Sequence, residues 1–391
     1  MASPVDTSVK VFYSSMSGAP QGFRGALGSS LPVIKACLVT GFDEVTLTSL
    51  VVSGGVATAT YPTTHSAVPH SVVLIAGATG AGMSDLNGEQ KIVTKVGNTV
   101  TFATAVPDGS AGGVITMKMA PAGWTEEFAG VNLMVVRPPD ISGNRHFLRL
   151  QDTATTTLRA QGYENMTAVS TGTGPFPTTA QQSGGGYWPK SDLADATDNP
   201  WMIVADGKRF YLGVAPGYAS APTYIGMQPV GFGDFKSYRK TADPYATFMS
   251  MGGTAALGWD GALTNGSPGS LGWAPRSYSA VGQSTPLVGM NSVGSAGQSG
   301  STTHFGTYPG MAEGLYLSKT LVGTDIPTLG PRGELPGLWH VPQAVNPGTF
   351  AMGDTILGGG ETAGRHLVVM PATTSSAGAA APLLFDITGP W

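Results

Sequence analysis

Charge is what this sequence has least of: only 11% of its 391 residues are Asp, Glu, Lys or Arg, against about 25% in an ordinary soluble domain. Twenty basic and 24 acidic side chains leave a formal net charge of −4. The basic residues do not cluster, so the counterion release that drives nucleic-acid binding has no basis here. Cysteine is almost missing too. Cys37 stands alone, which excludes a disulfide framework or a cysteine metal cluster and leaves the redox compartment open. No apolar run reaches 18 residues, and Met1-Ala2-Ser3-Pro4-Val5-Asp6 is not a basic region followed by an apolar core. The expectation is synthesis in the cytoplasm without export signal or membrane anchor. Disorder requires low hydrophobicity with high charge, whereas 41% of this chain is apolar, so it is expected to fold. A folded surface this poor in charge lacks the repulsion that keeps monomers apart, and much of it is expected to be buried against other subunits.

What is present is strand and turn. From Ser71 to Lys118, short β-branched runs alternate with turn residues at intervals of roughly ten positions. Val72–Ile75 is a continuous apolar run, while Lys91–Val96 and Thr99–Phe102 alternate polar with apolar. Asn87-Gly88, Gly97-Asn98 and Asp108-Gly109 separate the runs and tolerate the positive φ angles of tight hairpins. Val114–Met117 makes a further strand. Gly77-Ala78-Thr79-Gly80-Ala81-Gly82, directly after an apolar strand, invites a dinucleotide-binding reading. Such a loop must open a helix to hold pyrophosphate, yet Asp85-Leu86-Asn87-Gly88 and another strand follow. It reads as a plain loop.

The spacing therefore predicts an all-β chain: a small N-terminal sandwich or barrel over residues 1–123 and a larger β-rich domain over 124–391. Leu31–Leu38, with Pro32 in its first turn and Gly41 past its end, fits a helix or a buried strand. Val45–Val52 and Val56–Tyr61 form a hairpin across Ser53-Gly54-Gly55, and Ala120–Trp124 is the boundary. Beyond it, Val131–Val136, Arg145–Asp152 and Leu158–Tyr163 read as strands, with Arg145, Arg149, Arg159 and Asp152 on one solvated face. Thr171–Pro189 carries no charge and reads as a loop that is packed under a neighbouring subunit or exposed as an aromatic surface. Trp201–Val204 and Arg209–Val214 form a hairpin across Asp206-Gly207, followed by a strand at 230–235. Residues 252–310, almost free of charge, read as an insertion that wraps a partner or forms a tip, or as an ordered hairpin arm. Arg332–Trp339 reads as a turn, Arg365–Met370 and Leu383–Ile387 as strands.

Catalytic signatures are weak. His65, His70, His146, His304, His340 and His366 show no i, i+4 zinc spacing. His65 and His70, flanking Pro69, read as solvated loop residues. Glu126 and Glu127 are adjacent and point to opposite faces of a strand, a poor acid/base pair. Asp234, Asp243 and Asp354 lie in turns, where Asp bonds the local backbone. No nucleophile elbow occurs and Cys37 has no evident histidine partner. No enzymatic activity, cofactor or metal is expected. Candidates for ligand or partner contact are the aromatic residues of the neutral segments: Phe176, Tyr187, Trp188, Trp259, Trp273 and Tyr278. They could stack on sugar rings, so an alternative reading is a saccharide-binding module.

Several stretches carry a resemblance: Leu86–Phe102, Ala120–Trp124, Gly172-Thr173-Gly174-Pro175-Phe176-Pro177, Tyr187-Trp188-Pro189-Lys190, Phe232-Gly233-Asp234-Phe235, Leu335-Pro336-Gly337-Leu338-Trp339 and Phe385–Trp391. Together they resemble a family of tailed-bacteriophage virion proteins over most of the chain except about 252–310. The resemblance implies a structural part of a virion, of the tail, tail tip or baseplate rather than the head, assembled in several copies with other virion proteins. Head decoration or a head fibre is the alternative within that class. The resemblance transfers no site residue.

Overall fold

The protein is described here by a computed structural model covering residues 3–251, 263, 271–291, 306–310, 314–324, 330–346, 348–372 and 381–391. It is all-β, and among those residues helix is confined to Leu31–Lys35, a wide turn over Ala36–Thr40 and single 3₁₀ turns. Pro32 sits in the first turn, and Leu31, Val33 and Ile34 are buried. Gly41 ends the segment at φ +73°, where a Cβ would lie 2.4 Å from the Met119 carbonyl.

Residues 42–119 build the first sheet. One run bends at Leu47 and Thr48, so that Phe42–Thr46 pairs with Thr116–Met119 while Ser49–Ser53 pairs with Val56–Thr60. From Thr116–Met119 the order continues through Val72–Ala76, Gly88–Val96 and Thr99–Ala103 back to Val56–Thr60. The sheet thus closes into a small barrel, and the sequence alternation is met: Leu50, Val52, Ala57, Ala59, Val100 and Phe102 fill the inside. After Gly77–Gly82 comes one 3₁₀ turn, Met83–Leu86, and then a strand, so no helix N-terminus faces that loop.

Residues 125–189 form the second sheet. Its order is Thr125–Gly130, Leu133–Arg137, Phe147–Gln151, Thr157–Ala168 and Thr171–Phe176, with Gly186–Pro189 also paired to the long Thr157–Ala168 strand. Thr171–Pro189, expected as a loop, is therefore strand at both ends, with a loop only over 177–185. Gly162 stands opposite Phe176, and a Cβ there would lie 2.3 Å from the Phe176 ring; the missing side chain lets the aromatic ring fold inward.

The third sheet has 13 strands. Gln228–Asp234 and Lys236–Ser237 are one run bent at Phe235, pairing with Thr247–Ser250 on one side and Gly333–His340 on the other. Gly272–Ala274, Thr285–Asn291 and Ser318–Thr324 complete the circuit between them, so a second ring of strands closes by the same device as the first. Within the 252–310 insertion, Gly272–Ala274 and Thr285–Asn291 are strands of this ring, while Trp259 and most of the insertion lie outside the described residues. Arg332–Trp339, expected as a turn, is largely strand because both its neighbours offer free edges.

Sheet membership does not follow a boundary at 123. Lys10–Tyr13 pairs with Trp201–Ala205 in the large sheet, and one core cluster runs from Phe12 through the barrel and second sheet to Met249. Ala120–Trp124 is bolted rather than free. Ala122 and Trp124 donate backbone N–H groups to the Cys37 and Leu38 carbonyls at 2.9 Å each, and the buried Trp124 indole donates to the Asp206 carbonyl at 2.8 Å.

Asp152 also departs from expectation. The expectation sets it on a solvated face with Arg145 and Arg149, but it and Lys190 are both fully buried and bonded to each other. Asp152 also accepts the Ser30 N–H at 2.9 Å, and Lys190 donates to the Ala26 and Ala154 carbonyls. Burial pulls the Lys190 ammonium down from its ordinary pKa, and the Asp152 carboxylate opposes that pull. Removing one partner strands the other charge in the interior. Asp152→Asn should cost about 3–5 kcal/mol by urea denaturation, whereas Asp152→Leu with Lys190→Met should recover most of it. A single variant as stable as the parent would show that water reaches the pair.

Candidate functional site

In a chain with so few charges, the place where they converge is informative. Ten line two adjoining grooves on the large sheet that share Lys236, Pro336 and Trp391. The first groove, about 230 Å³, runs between Trp339 and Trp391. Strand pairing sets its walls: Gly333–His340 faces Glu334 across to Lys236, and Trp339 across to Lys319. The Lys236 ammonium meets Glu334 at 2.9 Å, Lys319 bridges Glu334 and Glu361, and Arg365 pairs with Asp386. The Lys319 ammonium also lies 5.6 Å from the Trp339 ring centre. The Tyr238 hydroxyl donates to Glu334 at 2.7 Å; burial and that bond push Tyr238 up to about 12. Burial would raise Glu334, but the bonds from Tyr238 and Lys236 prevail and hold its carboxyl below the usual range.

Three bases and three acids therefore cancel, and every one is already paired. The groove carries no net charge to draw a charged ligand, and its six ionic groups are all engaged with one another. What stays open is the flank of two tryptophans with satisfied, fixed donors and acceptors around them, a surface suited to polyhydroxyl compounds.

The second groove, about 290 Å³, is backed by Asp234. Asp234 is not the turn residue its sequence context suggests. It ends a strand, is buried, and accepts the Asn144 N–H and the Thr247 hydroxyl, each at 2.7 Å. Burial raises its pKa against those bonds. Thr247 gives its proton to Asp234, so its oxygen accepts from His146 Nδ1 at 2.8 Å, and the ring's other nitrogen is left without a proton. This carboxylate, hydroxyl and imidazole chain lies under the groove, where the buried Thr247 hydroxyl cannot meet a substrate. Asp243, beside it, grips the fully buried Arg332 through both oxygens at 2.9 and 3.0 Å, while Asp354 bonds its local backbone as expected.

The sequence candidates lie elsewhere. Phe176 and Trp188 are fully buried core residues, and the Trp188 indole donates to the Ser250 carbonyl at 2.6 Å; neither side chain reaches a ligand or partner. Tyr187 is covered by the Arg159 guanidinium at 3.7 Å. Trp273 is half-buried, its indole 2.9 Å from the Met251 sulfur, and Tyr278 lies under Arg239 at 5.7 Å. His65 is buried and accepts the Ala67 N–H at 3.0 Å through Nδ1, so it is not a solvated loop residue. His70 stacks on His366 with ring centres 4.0 Å apart, and Lys91 beside them donates to the Ile387 and Thr388 carbonyls. Glu126 and Glu127 are split between Lys35 and Arg137. Burial raises the Cys37 thiol pKa well above its ordinary value. Among the described residues no three His, Cys, Asp or Glu side chains group to hold a metal.

Compared with known proteins, the sequence matches no family model and no curated protein.

Two predictions follow the geometry. Gly337 takes φ +75°, and a Cβ there would lie 2.3 Å from the Trp391 ring. Gly337→Ala should cost about 1–2 kcal/mol in backbone strain alone and displace the indole, seen as a red shift in tryptophan emission; an unshifted spectrum would mean that Trp391 is not seated there. Burial, with His366 and Lys91 adding to it, lowers His70 to about 4, and burial lowers His146 and His340 to about 4 as well. These folded values lie below the unfolded value of 6.5, so the stability they confer is complete above about pH 6.5 and lost as pH falls towards about 4. Thermal melts should show the midpoint falling across that window, with a shallower fall in His340→Gln.

Proposed function

We propose that this chain is a non-enzymatic structural protein of a tailed-bacteriophage virion, a component of the tail, tail tip or baseplate present in several copies. The resemblance over most of the sequence suggests the class. The observation that carries the assembly reading is the distribution of charge. Ionic side chains are drawn into internal pairs such as Lys190 with Asp152 and Arg332 with Asp243, while an outer face of the barrel presents Val, Thr and Ser. A neutral exterior of that kind supports a subunit covered by neighbours. Mass spectrometry of purified phage particles tests the class, and electron microscopy with antibody fragments against the folded chain tests the position. Label at the tail end is the expected result; label over the capsid would favour decoration or a head fibre, and absence of the protein from particles would sink the reading.

A second reading, host-saccharide binding, draws on the electroneutral groove between Trp339 and Trp391. It places the contact at those two residues and not at Trp188. Titration with neutral methyl glycosides should quench tryptophan emission in the parent and not in Gly337→Ala. No response to any glycoside at millimolar concentration would remove it.

A further inference from the structure

Four neighbouring strands of the barrel turn one face outward: Ser49–Ser53, Val56–Thr60, Thr99–Ala103 and the end of Gly88–Val96. Their register sets the side chains in rows. Ser49, Thr60, Thr99 and Val96 lie side by side; next come Val51, Thr58, Thr101 and Thr94, extended at the edge by Ser110; then Ser53, Val56 and Ala103. All are exposed or half-exposed, and none carries charge. Val51, Val56 and Val96 are exposed large apolar residues, the last at 77%. Thr94 and Thr101 join their hydroxyls at 2.6 Å, leaving their methyl groups among the valines.

The nearest charges are turned away or occupied at the rim. Lys95 points through the sheet to the His65 carbonyl at 2.6 Å. Asp108 accepts the Gly54 N–H at 2.8 Å at the hairpin tip. By contrast, the second sheet carries Arg149, Arg159 and Glu164 along its strands.

We propose that this Thr/Val face is the contact through which one copy of the chain meets another, sheet against sheet about a two-fold axis. The inference rests on the reading of a multicopy assembly. The occupant follows from charge. A face with no field gives a charged partner no attraction and leaves its charges desolvated and unpaired. An identical face is uncharged by construction, and an isologous contact sets threonine and valine of one copy on those of the other. Size sets the strength. Four strands at 4.8 Å spacing by five residues at 3.4 Å cover roughly 300 Å², against about 800 Å² per partner in a standard stable interface. The contact is therefore too small to hold a dimer alone and forms durably only beside other contacts.

Cysteine cross-linking detects such a weak contact, and the chain is suited to it because Cys37 is buried with its thiol pKa raised. The purified protein carrying Thr58→Cys is treated with a short bis-maleimide and compared with Val131→Cys, whose position is 88% exposed in a hairpin turn of the second sheet. Thr58→Cys should give at least about fivefold more cross-linked dimer at equal concentration, and adding Val51→Lys and Val56→Lys to the same chain should abolish the excess. Equal yields, or an excess that survives the lysines, would overturn the proposal. Cross-linking of Thr58→Cys in particles to a different virion protein would also overturn it. Dimer formation with no protein in particles would defeat the virion reading alone, and the reverse result would defeat the self-contact alone.

Discussion

Lys190 and Asp152 face each other fully buried, and the pieces of chain that meet there have little else in common. Asp152 follows the strand Phe147–Gln151, Lys190 follows Gly186–Pro189, and Ala26 and Ser30 come from the loop before the helix. An ammonium taken out of water is tolerated only where its protons are all directed to oxygens. That demand fixes the three segments relative to one another more narrowly than apolar contact could, because apolar contact has no direction. Arg332 repeats the arrangement at the second ring, with two bonds to Asp243, one to the Arg276 carbonyl and one to the Tyr245 carbonyl.

Placing charge at junctions has a cost elsewhere. Side chains drawn inward no longer dress the exterior, and the outside of the barrel is left with Ser, Thr and Val. A contrast is the groove between Trp339 and Trp391, where six ionic groups gather and neutralise each other. Neutrality is thus achieved twice, by absence on the barrel and by cancellation in the groove. The first suits contact with an equally uncharged protein face and the second a small polar ligand.

The barrel was legible in the sequence because its strands are local. Gly54-Gly55 and Gly97-Asn98 join strands that are neighbours in space, and alternation then assigns each face. Alternation in fact separates Asp152 from Arg149: an odd number of positions apart, they take opposite faces, and Asp152 falls on the side of the buried Leu148 and Leu150, so grouping it with the arginines misplaced it. The second ring was hidden because Gln228–Asp234 and Gly333–His340 are about a hundred positions apart, and no local pattern links them. The groove escaped for the same reason, since Lys319, Glu334, Glu361 and Asp386 converge only after that ring closes. Phe176 and Trp188 misled because a charge-free stretch rich in Gly and Thr looks like a loop until the opposing Gly162 shows where the ring goes.

Trp124 gives the molecule a mechanical character. The barrel leaves through Ala120–Trp124, a stretch whose backbone is tied to the helical segment and whose indole is tied to the Asp206 carbonyl, in the turn between Trp201–Ala205 and Arg209–Val214 of the large sheet. A joint held at both ends by directed bonds and filled by the largest of side chains does not act as a hinge. Force applied at the barrel passes into the large sheet as load, with no slack segment to stretch first, so the two move as one lever arm.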